Sequence, residues 1–175
     1  GKLKDKALVV SVYSKLTDEQ RQSRLGEEIT SLLSISSTVQ EGDKIADAEL
    51  KDIEGNIHHL SDYKGKYIIL DFWSRYCGPC LDAFPLLKEI AEKYKEKVVV
   101  ISLSVEAVWK ETEVKESADN WLQLSDGLGM SGIAAHYGVH ALPSFIYISP
   151  ESTVLKAGQG YKFLSEDIRT FIKDK

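Results

Sequence analysis

Residues 66–85 read KYIILDFWSRYCGPCLDAFP, and this stretch limits the possible folds more than any other in the chain. Its first half is a short apolar run rich in β-branched and aromatic residues, which suits a central strand buried on both faces. Its second half opens on Cys77-Gly78-Pro79-Cys80, the only two cysteines present, and continues at helical spacing. Leu81, Phe84, Leu87, Ala91 and Tyr94 fall on one side of a helix running from about Gly78 to Tyr94. A strand buried on both faces needs neighbouring strands and a helical layer over each face. KVVVISLSV, residues 97–105, reads as the second buried strand.

The remaining segments fit that plan. AELKDIEGNIHHL reads as a hairpin around Glu54-Gly55-Asn56, and SDYKGK as a turn. Glu106 to Ser117 reads as a helix and NWLQLSD as a short strand. SGIAAHYGV is a short helix closed by Gly138, which suits a left-handed C-terminal cap. SFIYIS and TVLKAG bracket Pro150-Glu151-Ser152 as an antiparallel pair, and SEDIRTFIKDK closes the chain as a helix capped by Ser165. The order β-α-β-α-β-β-α predicts a mixed sheet with helices on both faces. Residues 1 to about 38 differ. Leu8, Val9, Val12 and Leu16, then Leu25, Ile29, Leu32 and Leu33, form two apolar stripes, and Thr17 with Gln20 offers a capping box between them. A helix pair near residues 4–15 and 18–34 is expected, with SISSTVQEGD as the boundary to a second unit over residues 39–175.

Composition narrows the function classes. A net charge of −5 with dispersed lysines lacks the basic footprint that nucleic acid requires. No apolar run approaches the ~18 residues of a membrane helix, so no membrane span is expected. The start, GKLKDKALVV, lacks Met and a leader and reads as the beginning of a fragment. Two cysteines cannot build a multi-disulfide framework, and a bridge between positions so close constrains little chain.

Reactivity is the better reason for the pair. A helix starting just after Cys77 places Pro79 in the first turn, where a missing N–H costs nothing. Cys77 then sits at the positive end of the helix, among unpaired backbone N–H groups, which favours thiolate and moves a free thiol from about 8.5 toward ~7. Cys80 lies one turn later on the same side and can close a disulfide. Pro85 falls inside the helix and removes one of its hydrogen bonds. Two inert buried thiols are a poor match for C-G-P-C at a strand-to-helix junction. A zinc site needs two more ligands. His58 and His59 point to opposite faces of a strand, and His136 and His140 straddle Gly138. Asp71 interrupts an apolar strand, where an unpaired charge is costly. Its carboxyl should titrate high and exchange protons near neutrality, unless it is a structural Asp bonded to neighbouring backbone.

These residues carry a family resemblance. DFWSRYCGPC resembles the active-site stretch of thioredoxin, Pro85 matches that family's helix proline, and YGVHALPSFIYI resembles its second signature. The lead-in GDKIADAELKDIEGNIHHLSDYKGKYIILDFW is similar to the TlpA/ResA-like branch of envelope thiol–disulfide oxidoreductases, so the match spans residues 42–175. The helix pair resembles the connector that follows an extra N-terminal domain in Bacteroidetes members. The resemblance implies a thioredoxin fold with an N-terminal hairpin and an inserted helix-strand piece around residues 106–125. It also implies that Pro143 is cis and faces the cysteines, and that Leu142 offers backbone groups to a substrate peptide. Tyr76 replaces the usual Trp before the first cysteine, Ala83 stands where the branch carries Glu, and Ser102 stands where thioredoxin pairs a Lys with its buried acid.

The expected activity is thiol–disulfide exchange without a bound cofactor. Cys77 attacks a substrate disulfide, and Cys80, deprotonated with help from Asp71, resolves the mixed disulfide. Trp73, Tyr76, Gly78, Pro79, Leu142 and Pro143 are the expected substrate-contacting residues, while Trp109 and Trp121 read as core. By resemblance, the partners are disulfide-bearing proteins and an upstream thiol reductant, in the periplasm or cell envelope. The Gly-Pro dipeptide resembles thioredoxin, a reductant near −270 mV, rather than an oxidant near −120 mV. A peroxiredoxin-like peroxidase is the enzymatic alternative. Ser74 suits its P-x-x-x-[TS]-x-x-C signature, but Leu70 stands where proline should be. A non-catalytic redox-sensing interaction module is the other alternative.

Overall fold

The computed structural model describes residues 2–34, 38–106 and 120–173. Three helices lead the chain: α1 (Lys2–Tyr13), α2 (Asp18–Arg21) and α3 (Arg24–Ser34). The expected second helix of the pair is therefore broken. Thr17 caps α2 as a capping box, with Gln20 N–H donating to Thr17 Oγ1 at 3.2 Å and Thr17 N–H to Gln20 Oε1 at 2.9 Å. Gly26, just inside α3, lets the two short helices close up. A Cβ there would lie 2.3 Å from the Gln20 carbonyl oxygen.

A two-stranded hairpin follows, β1 (Leu50–Lys51) with β2 (Ile57–His58), then a 3₁₀ turn over Leu60–Tyr63. Asp52 shapes the hairpin loop by accepting from Glu54 N–H and Asn56 N–H at 2.9 and 2.8 Å. The main body contains β3 (Tyr67–Trp73), α4 (Gly78–Lys93), β4 (Val98–Ser104), β5 (Trp121–Leu124), α5 (Ile133–His136), β6 (Ser144–Ile148), β7 (Val154–Gln159) and α6 (Gly160–Lys173). The five long strands form one sheet in the order β5-β4-β3-β6-β7, with β3, β4 and β5 parallel and β6 antiparallel to both its neighbours, β3 and β7. The helix expected over residues 106–117 lies, beyond Glu106, outside the described residues, as does Trp109.

Strand alternation divides the core in two. Ile68, Leu70 and Phe72 of β3 join Ile101, Leu103, Tyr137 and Val139 on the face covered by α5. Ile69 and Trp73 join Phe84, Leu87, Trp121, Phe145 and Leu164 on the face covered by α4 and α6. Six of the seven β3 residues are buried, which explains a strand that reads as continuously apolar rather than alternating. Each fully buried Leu or Ile contributes roughly 1.5–3 kcal/mol.

Two further expectations need correction. Leu81 is 44% exposed, and the buried side of α4 is Cys80, Ala83, Phe84, Leu87, Ile90 and Ala91. The last helix starts at Gly160, five residues before Ser165, because Gly160 adopts φ 79° and turns β7 straight into α6. Its N–H donates to the Pro143 carbonyl at 2.9 Å.

Candidate active site

The C-terminal end of β3 delivers the chain into α4, and Cys77 is the N-cap of that helix. Cys77 and Cys80 are joined by a disulfide, with sulfurs 2.05 Å and Cα atoms 5.2 Å apart. The two differ in access: Cys80 is 1% exposed, whereas Cys77 is half-buried. Cys80 N–H donates to Cys77 Sγ at 3.2 Å, so a first-turn donor of the helix already points at this sulfur. That contact and the helix dipole favour a thiolate at Cys77 when the pair is reduced. Pro79 occupies the first turn, and Gly78 and Pro79 are exposed beside the sulfurs.

The Leu142–Pro143 peptide bond is cis. Phe72 pairs with Ser144 in the antiparallel β3–β6 ladder, which carries Pro143 to the end of the sheet where α4 begins. Leu142 and Cys77 both pack against the α4-side core. Tyr76 is 83% exposed, with the Arg75 guanidinium 5.2 Å from its ring centroid. Trp73 lies elsewhere than expected. It is 1% exposed and packs edge-on against Phe84 at 4.9 Å, so it supports the site from beneath and offers substrate no surface.

Asp71 is 1% exposed and lies between Ile69 and Trp73 in β3, on the side where Cys80 is packed. Burial pushes its carboxyl up to about 7, and the Ser102 hydroxyl, which donates to Oδ2 at 2.8 Å, holds it back in part. The alternative of an Asp bonded to neighbouring backbone does not describe this geometry: its hydrogen bond comes from a side chain on the next strand. An acid that titrates near neutrality can accept a thiol proton at physiological pH.

One residue of the site carries no signal in the sequence. Glu106, just past β4, accepts from Ser74 Oγ at 3.0 Å and from Arg75 N–H at 2.7 Å through Oε1, and from Arg75 Nε at 2.6 Å through Oε2. It anchors the loop that precedes Cys77. The sequence reads Glu106 as the start of a helix, and only the tertiary contact shows its role.

Residues 41–157 match the AhpC/TSA family. A thioredoxin-like protein, YneN, from Bacillus subtilis is 32% identical over 120 residues, covering 67% of this chain and 70% of its own. The thiol–disulfide oxidoreductase ResA of Bacillus thuringiensis is 32% identical over 124 residues, covering 70% of each chain. Among solved structures, a thiol:disulfide interchange protein DsbE from Chlorobium tepidum superimposes with a TM-score of 0.68 at 27% identity, covering 77% of this chain and 96% of that one.

Proposed function

We propose that this chain, which belongs to the AhpC/TSA family and is a thiol–disulfide oxidoreductase, reduces protein disulfides in the cell envelope. The unequal burial of two cysteines in one bridge at a helix N-terminus carries this reading. The accessible sulfur is the one that receives a backbone N–H, and the shielded sulfur lies on the same side of the sheet as a buried acid. Cys77 thiolate attacks a substrate disulfide and forms a mixed disulfide. Asp71 then takes the Cys80 proton, and Cys80 attacks Cys77, releasing the substrate thiol and restoring the bridge. An upstream thiol reductant returns the pair to the dithiol. Tyr76, Gly78, Pro79, Leu142 and Pro143 form the surface on which a substrate peptide rests. Residues 1–38 are a connector without a part in the chemistry. Among the described residues no helix is long and apolar enough to cross a membrane. The family likeness supports envelope placement, and fractionation of the source cells checks it.

Turnover separates this reading from its competitors. Insulin reduction driven by dithiothreitol should accelerate with the wild-type protein and stay at the background rate with Cys77→Ser. Peroxide consumption tests the peroxidase that the family match brings into view. Leu70, at the position where that signature requires proline, is fully buried within β3. Peroxide turnover without disulfide turnover would overturn the proposal in favour of the peroxidase. Reversible oxidation with neither turnover would leave a redox-sensing module.

A further inference from the structure

The two carboxyl oxygens of Asp71 are unequal. Oδ2 accepts from Ser102 Oγ at 2.8 Å, whereas Oδ1 is buried without a hydrogen-bond partner. Ser102 is itself held in place, because the Trp121 indole N–H donates to its Oγ at 2.8 Å. Ser102 is 0% and Trp121 2% exposed, so water does not compete for either bond. Trp121 in turn packs edge-on against Phe84 at 5.1 Å, on the helix that bears Cys80. A chain of contacts thus runs from the cysteine helix, through Trp121 and Ser102, to one oxygen of the acid.

The direction of these bonds follows from the groups. An indole N–H only donates, so Ser102 Oγ accepts from it. The hydroxyl has one proton, and its other partner among the described residues is Asp71 Oδ2. With Asp71 ionised, the hydroxyl proton pairs with Oδ2, and Oδ1 keeps lone pairs that no donor satisfies in a dry site, which is unfavourable. Oδ1 is therefore the oxygen left open to take a proton, while Oδ2 stays the acceptor of the Ser102 bond.

We infer that Ser102, oriented by Trp121, is a positioning residue that occupies Oδ2 and leaves Oδ1 as the one oxygen of Asp71 that exchanges a proton with Cys80. This rests on the reading that Asp71 serves the resolving step. In that step the Cys80 thiol proton passes to Oδ1, and the Cys80 thiolate attacks Cys77 Sγ. The Cys77–Cys80 bond forms as the bond from Cys77 to the substrate sulfur breaks. The substrate leaves as a thiolate, which is protonated from water, so two electrons have moved from the dithiol to the substrate. The proton on Oδ1 then returns to solvent.

The surroundings leave Ser102 as the main polar influence on the acid. α4 presents Cys80, Ala83, Phe84 and Leu87 to this side, β5 Trp121, and β6 Phe145 and Tyr147; Phe163 and Leu164 come from α6. Gln123 of β5 stands in register beside Ser102. The titratable groups on this side are the two cysteines and the phenols of Tyr67, Tyr94 and Tyr147. Among the described residues, no lysine, arginine or histidine is buried.

Two readouts test the inference. The first is the pH dependence of mixed-disulfide decay, followed by stopped flow. Ser102→Ala should move its limb to higher pH by about one unit and slow decay at pH 7 by about 5-fold, because the ionised acid loses its donor. Ser102→Thr, which keeps the hydroxyl, should restore the profile, and Trp121→Phe should shift it less and in the same direction. The first attack by Cys77 should not change. The second readout is the infrared carbonyl band of neutral Asp71, assigned by its loss in Asp71→Asn. Ser102→Ala should raise its frequency, since the carbonyl oxygen no longer accepts a hydrogen bond. An unmoved band, or equal displacement of the limb by Ala and Thr, would overturn the inference. A clear Asp71→Asn defect with an unshifted Ser102→Ala limb would overturn it alone. Unchanged decay in Asp71→Asn would overturn the role of Asp71 itself, and this inference with it.

Discussion

A thiol reagent added to the reduced protein at pH 7 meets two cysteines of different access. Cys77 is half-buried and takes a hydrogen bond from Cys80 N–H, whereas Cys80 is 1% exposed beneath the first turn of α4. Thiolate content and exposure both favour the first. Iodoacetamide should therefore label Cys77 first, read by peptide mass after partial alkylation, and preferential labelling of Cys80 would reverse the assigned roles. At this scale the sequence is most informative where chemistry is local. The C-x-x-C spacing and the helix start are set within four residues, and Asp71 stands out as the one charge in an apolar strand. Glu106 is illegible by the same logic, since the three hydrogen bonds its carboxylate accepts come from residues some thirty positions earlier. Trp73 misleads because an aromatic residue beside a reactive pair fits a platform and a core equally well, and only its contact with Phe84 decides.

At the scale of elements, runs and spacing locate strands and helices well and locate their limits poorly. The long strands come from apolar runs that nothing but a sheet interior accepts. The start of α6 is decided instead by one glycine with positive φ, which has no periodic signature. The way α6 docks also depends on a glycine. Gly158 in β7 stands where a Cβ would come 2.1 Å from the Phe163 ring, and that ring stacks on Tyr147 with centroids 5.2 Å apart. Gly158→Ala should therefore push Phe163 off Tyr147 and destabilise the protein by about 1–3 kcal/mol, the usual range for overpacking. Urea unfolding of Gly158→Ala, Phe163→Ala and the double variant checks the cause. The double variant should recover part of the loss, giving a coupling of about 1 kcal/mol or more. Additive effects would mean that the ring is not what the new methyl meets.

For the molecule as a whole, a buried acid links stability to pH in a direction opposite to that of most carboxylates. Asp71 titrates near 3.9 in an unfolded chain and at about 7 in the folded one, because burial disfavours its charged form. Between those values the folded protein keeps a proton that the unfolded chain has released. Stability should then fall as pH rises from about 4 to about 7 and level off above, by roughly 4 kcal/mol for about three units at 1.36 kcal/mol each. Ion-paired carboxylates act the other way, but most of their effect lies below about pH 4, outside this window. The difference between wild type and Asp71→Asn isolates the one group. Oxidised protein is the right sample, because bridged cysteines do not titrate. Urea midpoints across this range should converge toward acid pH and separate toward pH 8, with Asp71→Asn the more stable there. The same burial that keeps Asp71 protonated near neutrality thus weakens the oxidised fold at the pH where the acid would have to be ionised to accept a proton. Parallel curves for the two proteins would show that Asp71 is already ionised in the fold at acid pH, and would remove the basis for its part in proton transfer.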